Sequence, residues 1–94
     1  MPILLTQEQR RKILEYAAQH GIHNVRVFGS FARGEAREDS DLDLLVDLGE
    51  ADLFDLGGFL MDAQDVMGRK VDVVPAESLH WFIRDSVLNE AKPL

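Results

Sequence analysis

Asp41 and Asp43 stand two residues apart in the run Ser40-Asp41-Leu42-Asp43-Leu44-Leu45-Val46. Leu42, Leu44 and Val46 give the alternation of a half-buried strand over Asp41 to Asp47, so both carboxylates face the same way. Like charges so placed repel each other unless a cation lies between them. An all-oxygen donor set suits a hard ion, Mg²⁺ or Mn²⁺, rather than zinc. A third acid, Asp72, stands within Val71-Asp72-Val73-Val74. A lone acid in an apolar strand is costly unless it is paired or metal-bound. Asp72 is thus a candidate third ligand if its strand lies beside the Asp41–Asp43 strand, and otherwise a buried acid paired with an arginine. Two metal ions about 3.5–4 Å apart can hold the attacking and leaving oxygens of an in-line displacement.

Ser30 precedes Asp41 by eleven residues, and Gly29 precedes Ser30 at the end of the apolar run Val25 to Phe28. A strand that ends in glycine and runs into a helix offers free backbone N–H groups, and glycine lets a ligand approach the backbone closely. Ser30 adds a hydroxyl donor, a role compatible with capping the helix. Arg33, one turn on, is placed to reach a phosphate oxygen; its plain alternative is a surface ion pair with Glu35 or Asp39. One end of this arrangement suits phosphate and the other a metal ion, which together describe a metal–triphosphate substrate.

The elements that must position these residues are legible in outline. Thr6-Gln7-Glu8-Gln9 reads as a capping box, followed by an apolar helical stripe of Ile13, Leu14, Ala17 and Ala18 that stops at Gly21. Val25 to Phe28 is a short strand, and Ser30 to Ala36 a turn running into a short helix. A second long helix is predicted over Leu53 to Met67, ended by Gly68, and a third strand over Val71 to Val74, closed by Pro75. A last helix runs from about Glu77 to Ala91. Trp81 and Phe82 beside Ile83 read as core, the alternative being that one of the two lies exposed on a partner-binding patch. His20 sits in the last turn of the first helix, whereas His23 and His80 read as surface; the three have no metal-ligand spacing. The order helix, strand, short helix, strand, helix, strand, helix packs as a three-stranded sheet backed by helices. Strand directions stay open at this level.

Two of these segments together, Val27-Phe28-Gly29-Ser30-Phe31-Ala32-Arg33-Gly34 and Ser40-Asp41-Leu42-Asp43-Leu44-Leu45-Val46, resemble the minimal nucleotidyltransferases of the DNA polymerase β-like superfamily. The resemblance extends from the first strand to the third. It implies an α+β fold, a small mixed sheet backed by helices like a polymerase palm, and transfer of a nucleoside monophosphate to a hydroxyl. It also implies that Gly29 and Ser30 hold the triphosphate and that Asp41 and Asp43 hold Mg²⁺. Asp72 matches the third carboxylate, which ligates the catalytic metal and helps deprotonate the acceptor. Larger members carry a helical domain that grips base and acceptor, and this chain has none. Minimal members are often antitoxins of HEPN-domain toxins, and some transfer AMP from ATP to a tyrosine of the toxin. The resemblance therefore implies ATP and a HEPN toxin as partners, in a homo- or hetero-oligomer.

Composition narrows the field. The 94 residues form one domain, with ordinary shares of apolar (46%) and charged (29%) residues. No cysteine is present, so no disulfide or thiolate metal site exists, and a cytoplasmic protein fits. No signal peptide is expected at the N-terminus, and no apolar run has the roughly 18 residues that span a membrane. The net charge is -7, and nine of the 17 acids lie between Glu35 and Asp55 with Arg37 as the single base among them. Extended nucleic acid is a poor partner for such a chain, because its binding rests on Lys and Arg; a protein hydroxyl is the better acceptor. Gly57-Gly58 lacks the Gly-Lys-Ser/Thr of a phosphate loop, and neither a dinucleotide fingerprint nor a nucleophile elbow occurs. Two other functions remain: an antitoxin that works by binding alone, and a nucleotidyltransferase acting on a small molecule.

Overall fold

The computed structural model describes residues 3–94. Helix α1 (Gln7–Gln19) starts at the expected capping box: Thr6 Oγ1 accepts from Gln9 N–H and Gln9 Oε1 from Thr6 N–H. It ends at His20, with Gly21 at φ +70°. Only Ile13 and Ala17 of its stripe are buried, while Leu14 and Ala18 face solvent. Strand β1 (His23–Phe28) begins two residues before the apolar run, and α2 (Gly29–Arg33) follows it directly. Strand β2 is Leu42–Asp47 and α3 is Leu53–Met67, with Asp52 as N-cap and Gly68 in the left-handed conformation at its end.

Strand β3 (Val71–Pro75) leads into a single 3-10 turn, Ala76–Ser78, and then into α4 (Trp81–Glu90). The last helix is therefore shorter than expected. It begins at His80, whose Nδ1 accepts from Phe82 N–H and caps it. A fourth strand, β4 (Lys92–Pro93), lies beyond the three expected. Two residues carry no apolar alternation, so only their pairing with β1 reveals them.

The sheet order is β3-β2-β1-β4. β1 runs antiparallel to β2 and to β4, and β2 runs parallel to β3. The sheet is thus mixed, and the helical connection α3 makes the parallel pair possible. Leu42, Leu44 and Val46 of β2 join Ile13, Ala17, Phe59, Ala63 and Met67 in one core cluster. Helices α1 and α3 consequently cover one face of the sheet and leave the alternate residues of β2 to the other. Leu45 points that way and is also fully buried, where β2 meets the 3-10 turn.

The aromatic residues of α4 correct the sequence expectation. Trp81 and Phe82 are 78% and 75% exposed, and α4 has no buried residue. Apolar content at helical spacing indicates core only when another element arrives to cover it, and here none does among the described residues.

Candidate active site

The antiparallel register sets Phe28, the last residue of β1, opposite Asp43 of β2. The parallel register sets Asp72 of β3 beside Asp43. Three strand positions from separate parts of the chain thus meet in one row across the sheet: the end of β1, Asp43 and Asp72. Asp41, just ahead of β2, and Asp43 are both partly exposed while Leu42 between them is buried, as the alternation requires. The sequence left the direction and adjacency of β3 open; the pairing is parallel and sets Asp72 next to Asp43.

Gly29 turns the chain out of β1 with φ +71°, a conformation that costs other residues about 1–2 kcal/mol. A β-carbon at Gly29 would collide with Asp43 Oδ2 and stand 3.2 Å from its Cγ. Glycine is therefore required twice, for the turn and for the contact. The N-cap of α2 is Phe28, which provides no side-chain cap bond, so Ser30 lies inside the first turn rather than capping it. Uncapped N–H groups at this point suit an anion. The helix has five residues, so direct N–H and hydroxyl donation outweighs any macrodipole.

The link between Ser30 and Asp41 is held from two sides. Ser40 Oγ accepts from Arg37 N–H at 2.8 Å, which closes the turn that delivers Asp41. Arg69 Nη1 donates to the carbonyls of Arg37 and Ser40 at 2.9 and 3.0 Å, and its guanidinium lies 5.4 Å from the centre of the Phe31 ring. Arg69 thereby joins α2, the turn and the start of β3. Its Nε is buried with no hydrogen-bond partner among the described residues. Arg69 has no local signature beside Gly68, and Glu90, at the far end of α4, has none either. Both reach the site through long-range contacts that spacing does not encode.

Burial raises the Asp43 carboxyl above its usual range; Asp72 and Asp41 push it further, Arg33 opposes them, and Glu90 adds a smaller push. Asp41 Oδ2 lies 3.8 Å from Lys70 Nζ. Arg33 takes the ion pair expected with Glu35, at 3.4 Å, and a shorter one with Glu90 at 2.5 Å. No ion pair forms between Asp72 and an arginine among the described residues, so the alternative reading of Asp72 has no support. No three acidic or histidine side chains among the described residues close into a ready metal cage. The three carboxylates are neighbours along and across the strands, with the mutual repulsion that like charges impose. The donor set itself, all carboxylate and centred on a half-buried acid, fits a hard divalent cation.

The family model described as a nucleotidyltransferase domain matches residues 10–94. Protein adenylyltransferase MntA of Thermococcus cleftensis is 38% identical over 96 aligned residues, covering 93% of this chain and 94% of that protein. A solved structure, provisionally assigned as a minimal nucleotidyltransferase, superposes with a TM-score of 0.84 at 45% identity, over 94% of this chain and 91% of the other. A toxin–antitoxin crystal structure with AMP-PNP shares the fold, with a TM-score of 0.76 at 20% identity over 89% of this chain and 70% of that one. The mixed sheet, the Gly-Ser turn beside the Asp-x-Asp strand and these likenesses agree: the chain belongs to the nucleotidyltransferase domain family, among its minimal, protein adenylyltransferase members.

Proposed function

We propose that the protein transfers AMP from ATP to a hydroxyl of a partner toxin, a tyrosine of a HEPN-domain protein, and so acts as an antitoxin. The observation that carries this reading is the parallel register that sets Asp72 beside Asp43, with Gly29 packed against the Asp43 carboxylate. A binding module has no need of converging acids, whose repulsion costs stability.

In this reading Gly29 and Ser30 donate to the triphosphate through backbone N–H and hydroxyl, and Arg33 reaches a phosphate oxygen. Asp41, Asp43 and Asp72 would hold Mg²⁺, as two ions, with Mn²⁺ as a substitute. Bound there, the cations would offset phosphate charge and supply the Lewis acidity that makes an acceptor hydroxyl easier to deprotonate. The acceptor oxygen bonds to the α-phosphorus while the bond to the bridging oxygen breaks. Pyrophosphate departs, and the hydroxyl proton passes to Asp72. The products are a phosphodiester-linked AMP on the acceptor and pyrophosphate, so the balance closes without a further reactant. The relative named protein adenylyltransferase supports adenylyl transfer to protein, and the toxin–antitoxin neighbour with AMP-PNP supports a toxin partner and an adenine triphosphate. The net charge of -7 favours a protein acceptor over nucleic acid. No helix of the described residues is long and apolar enough to cross a membrane.

The test is to incubate the protein with ATP, Mg²⁺ and the product of the neighbouring gene, then weigh that product by intact mass spectrometry. An AMP adduct that vanishes with Asp41→Asn or Asp43→Asn is expected. A tight, silencing complex with no adduct would show an antitoxin that works by binding alone. An adduct on a small hydroxyl compound instead would show a small-molecule enzyme.

A further inference from the structure

Arg33 is already engaged on the surface where phosphate would bind. Its Nη1 donates to Glu90 Oε1 at 2.5 Å and its Nε to Glu35 Oε2 at 3.4 Å. A guanidinium has two edges able to grip a phosphate with paired N–H groups, one through Nε and one through Nη1, and each shares the remaining nitrogen. Each edge of Arg33 therefore has one donor occupied by a carboxylate. Two carboxylates also cancel more than the single positive charge of the guanidinium.

The two contacts differ in kind. Glu35 is two residues away, its side chain is 65% exposed, and its contact is long, so solvent screens it strongly. Glu90 is 57 residues away, its side chain is 28% exposed, and its contact is short. Its backbone is held firmly for a residue at a helix end. Just beyond it, Lys92 and Pro93 pair with Val27 and Arg26 of β1, the strand that delivers Gly29. Helix α2, which carries Arg33, packs against both α4 and β2, the strand of Asp43.

We propose that Glu90 is a positioning residue of the nucleotide site, holding Arg33 in a closed pair that an incoming triphosphate must displace. The inference rests on the reading of Gly29, Ser30 and Arg33 as the triphosphate site. Glu90 costs nucleotide affinity and in return keeps Arg33 at the rim of the acid cluster. Because the exchange is reciprocal, whatever draws the end of α4 away from Arg33 raises affinity for the triphosphate.

Calorimetric titration of ATP with Mg²⁺ into the wild type, Glu90→Gln, Arg33→Gln and the double variant tests this. Glu90→Gln is expected to bind ATP about 1.5- to fivefold more tightly, the range a partly exposed ion pair commands. Glu90→Asp, one methylene shorter, should move affinity the same way by less. In the Arg33→Gln background the Glu90→Gln gain should disappear. The inference fails if Glu90→Gln leaves ATP affinity unchanged or weakens it while its melting temperature stays near the wild-type value. It also fails if the gain is equally large without Arg33, since that would be general charge repulsion. ATP binding by the wild type with no response to Glu90 overturns the inference alone. No binding by any variant overturns it together with the triphosphate reading.

Discussion

Gly29 packs against Asp43 so closely that a β-carbon at Gly29 would overlap the Asp43 carboxylate oxygen. The turn that offers N–H groups and the strand that offers carboxylates are thus one packed unit, and neither moves alone. Gly29→Ala should cost about 1–2 kcal/mol for the left-handed backbone, and Asp43 must rotate to relieve the collision. In a domain of this size that is a fall in melting temperature of about 4–16 °C. Thermal melts should show that loss, and Mn²⁺ titration should show weakened binding even in the fraction that stays folded.

Asp43→Asn separates function from stability. The Asp43 carboxyl titrates above its ordinary range because of burial, then Asp72 and Asp41. Between the unfolded and folded pKa values the folded chain binds more protons than the unfolded one. Stability therefore falls as pH rises through that window, and at neutral pH the ionised carboxylate costs the metal-free fold. The asparagine variant should melt at or a few degrees above the wild type at pH 7, with the difference vanishing below the ordinary carboxylate range. Its adenylylation rate should fall by about 10²-fold or more, since even residues that only support a metal ligand cost 10–100-fold. A large drop in melting temperature would identify Asp43 as structural instead.

If Asp43 ligates a cation as proposed, the same carboxyl sets the pH dependence of cation binding. Only the ionised form ligates a metal, so affinity for Mn²⁺ should decline on acidification beginning at a pH above the ordinary carboxylate range. Titrations at stepped pH should show the decline in the wild type. Asp43→Asn should bind weakly throughout and lack that inflection.

Arg69→Met should destabilise the chain by about 1–3 kcal/mol, because the carbonyls of Arg37 and Ser40 lose a charged donor. Chemical denaturation measures that loss. Arg69→Lys should recover part of it, since an ammonium can reach one carbonyl but does not reproduce the paired donation of the guanidinium beside Phe31. ATP affinity should fall with Arg69→Met, because the turn that delivers Asp41 is then less fixed.

Trp81 is the single tryptophan and faces water. Its fluorescence should show the red-shifted, readily quenched emission of solvated indole. Trp81→Ala should change stability by no more than about 0.5 kcal/mol, as for other surface substitutions. A blue-shifted spectrum of the free protein would mean that α4 packs differently.

By itself the sequence determined what depends on neighbours along the chain. The Thr6–Gln9 capping box, the span of α3 and the alternation of β2 are local patterns, and each formed as its spacing required. Gly29, Ser30, Asp41 and Asp43 were recognisable for the same reason: a turn and a strand fix their directions within a few residues. Tertiary structure decided what depends on pairing at a distance. Hydrogen bonding between β2 and β3, in parallel register, was needed to bring Asp72 beside Asp43. Strand β4 exists only through its bonds to β1, and Arg33 met Glu90 only because α4 returns to the sheet at its end. The exposure of Trp81 and Phe82 belongs to the same class. An apolar pattern records that a face prefers to leave water, whereas the packed fold alone determines whether another surface is there to receive it.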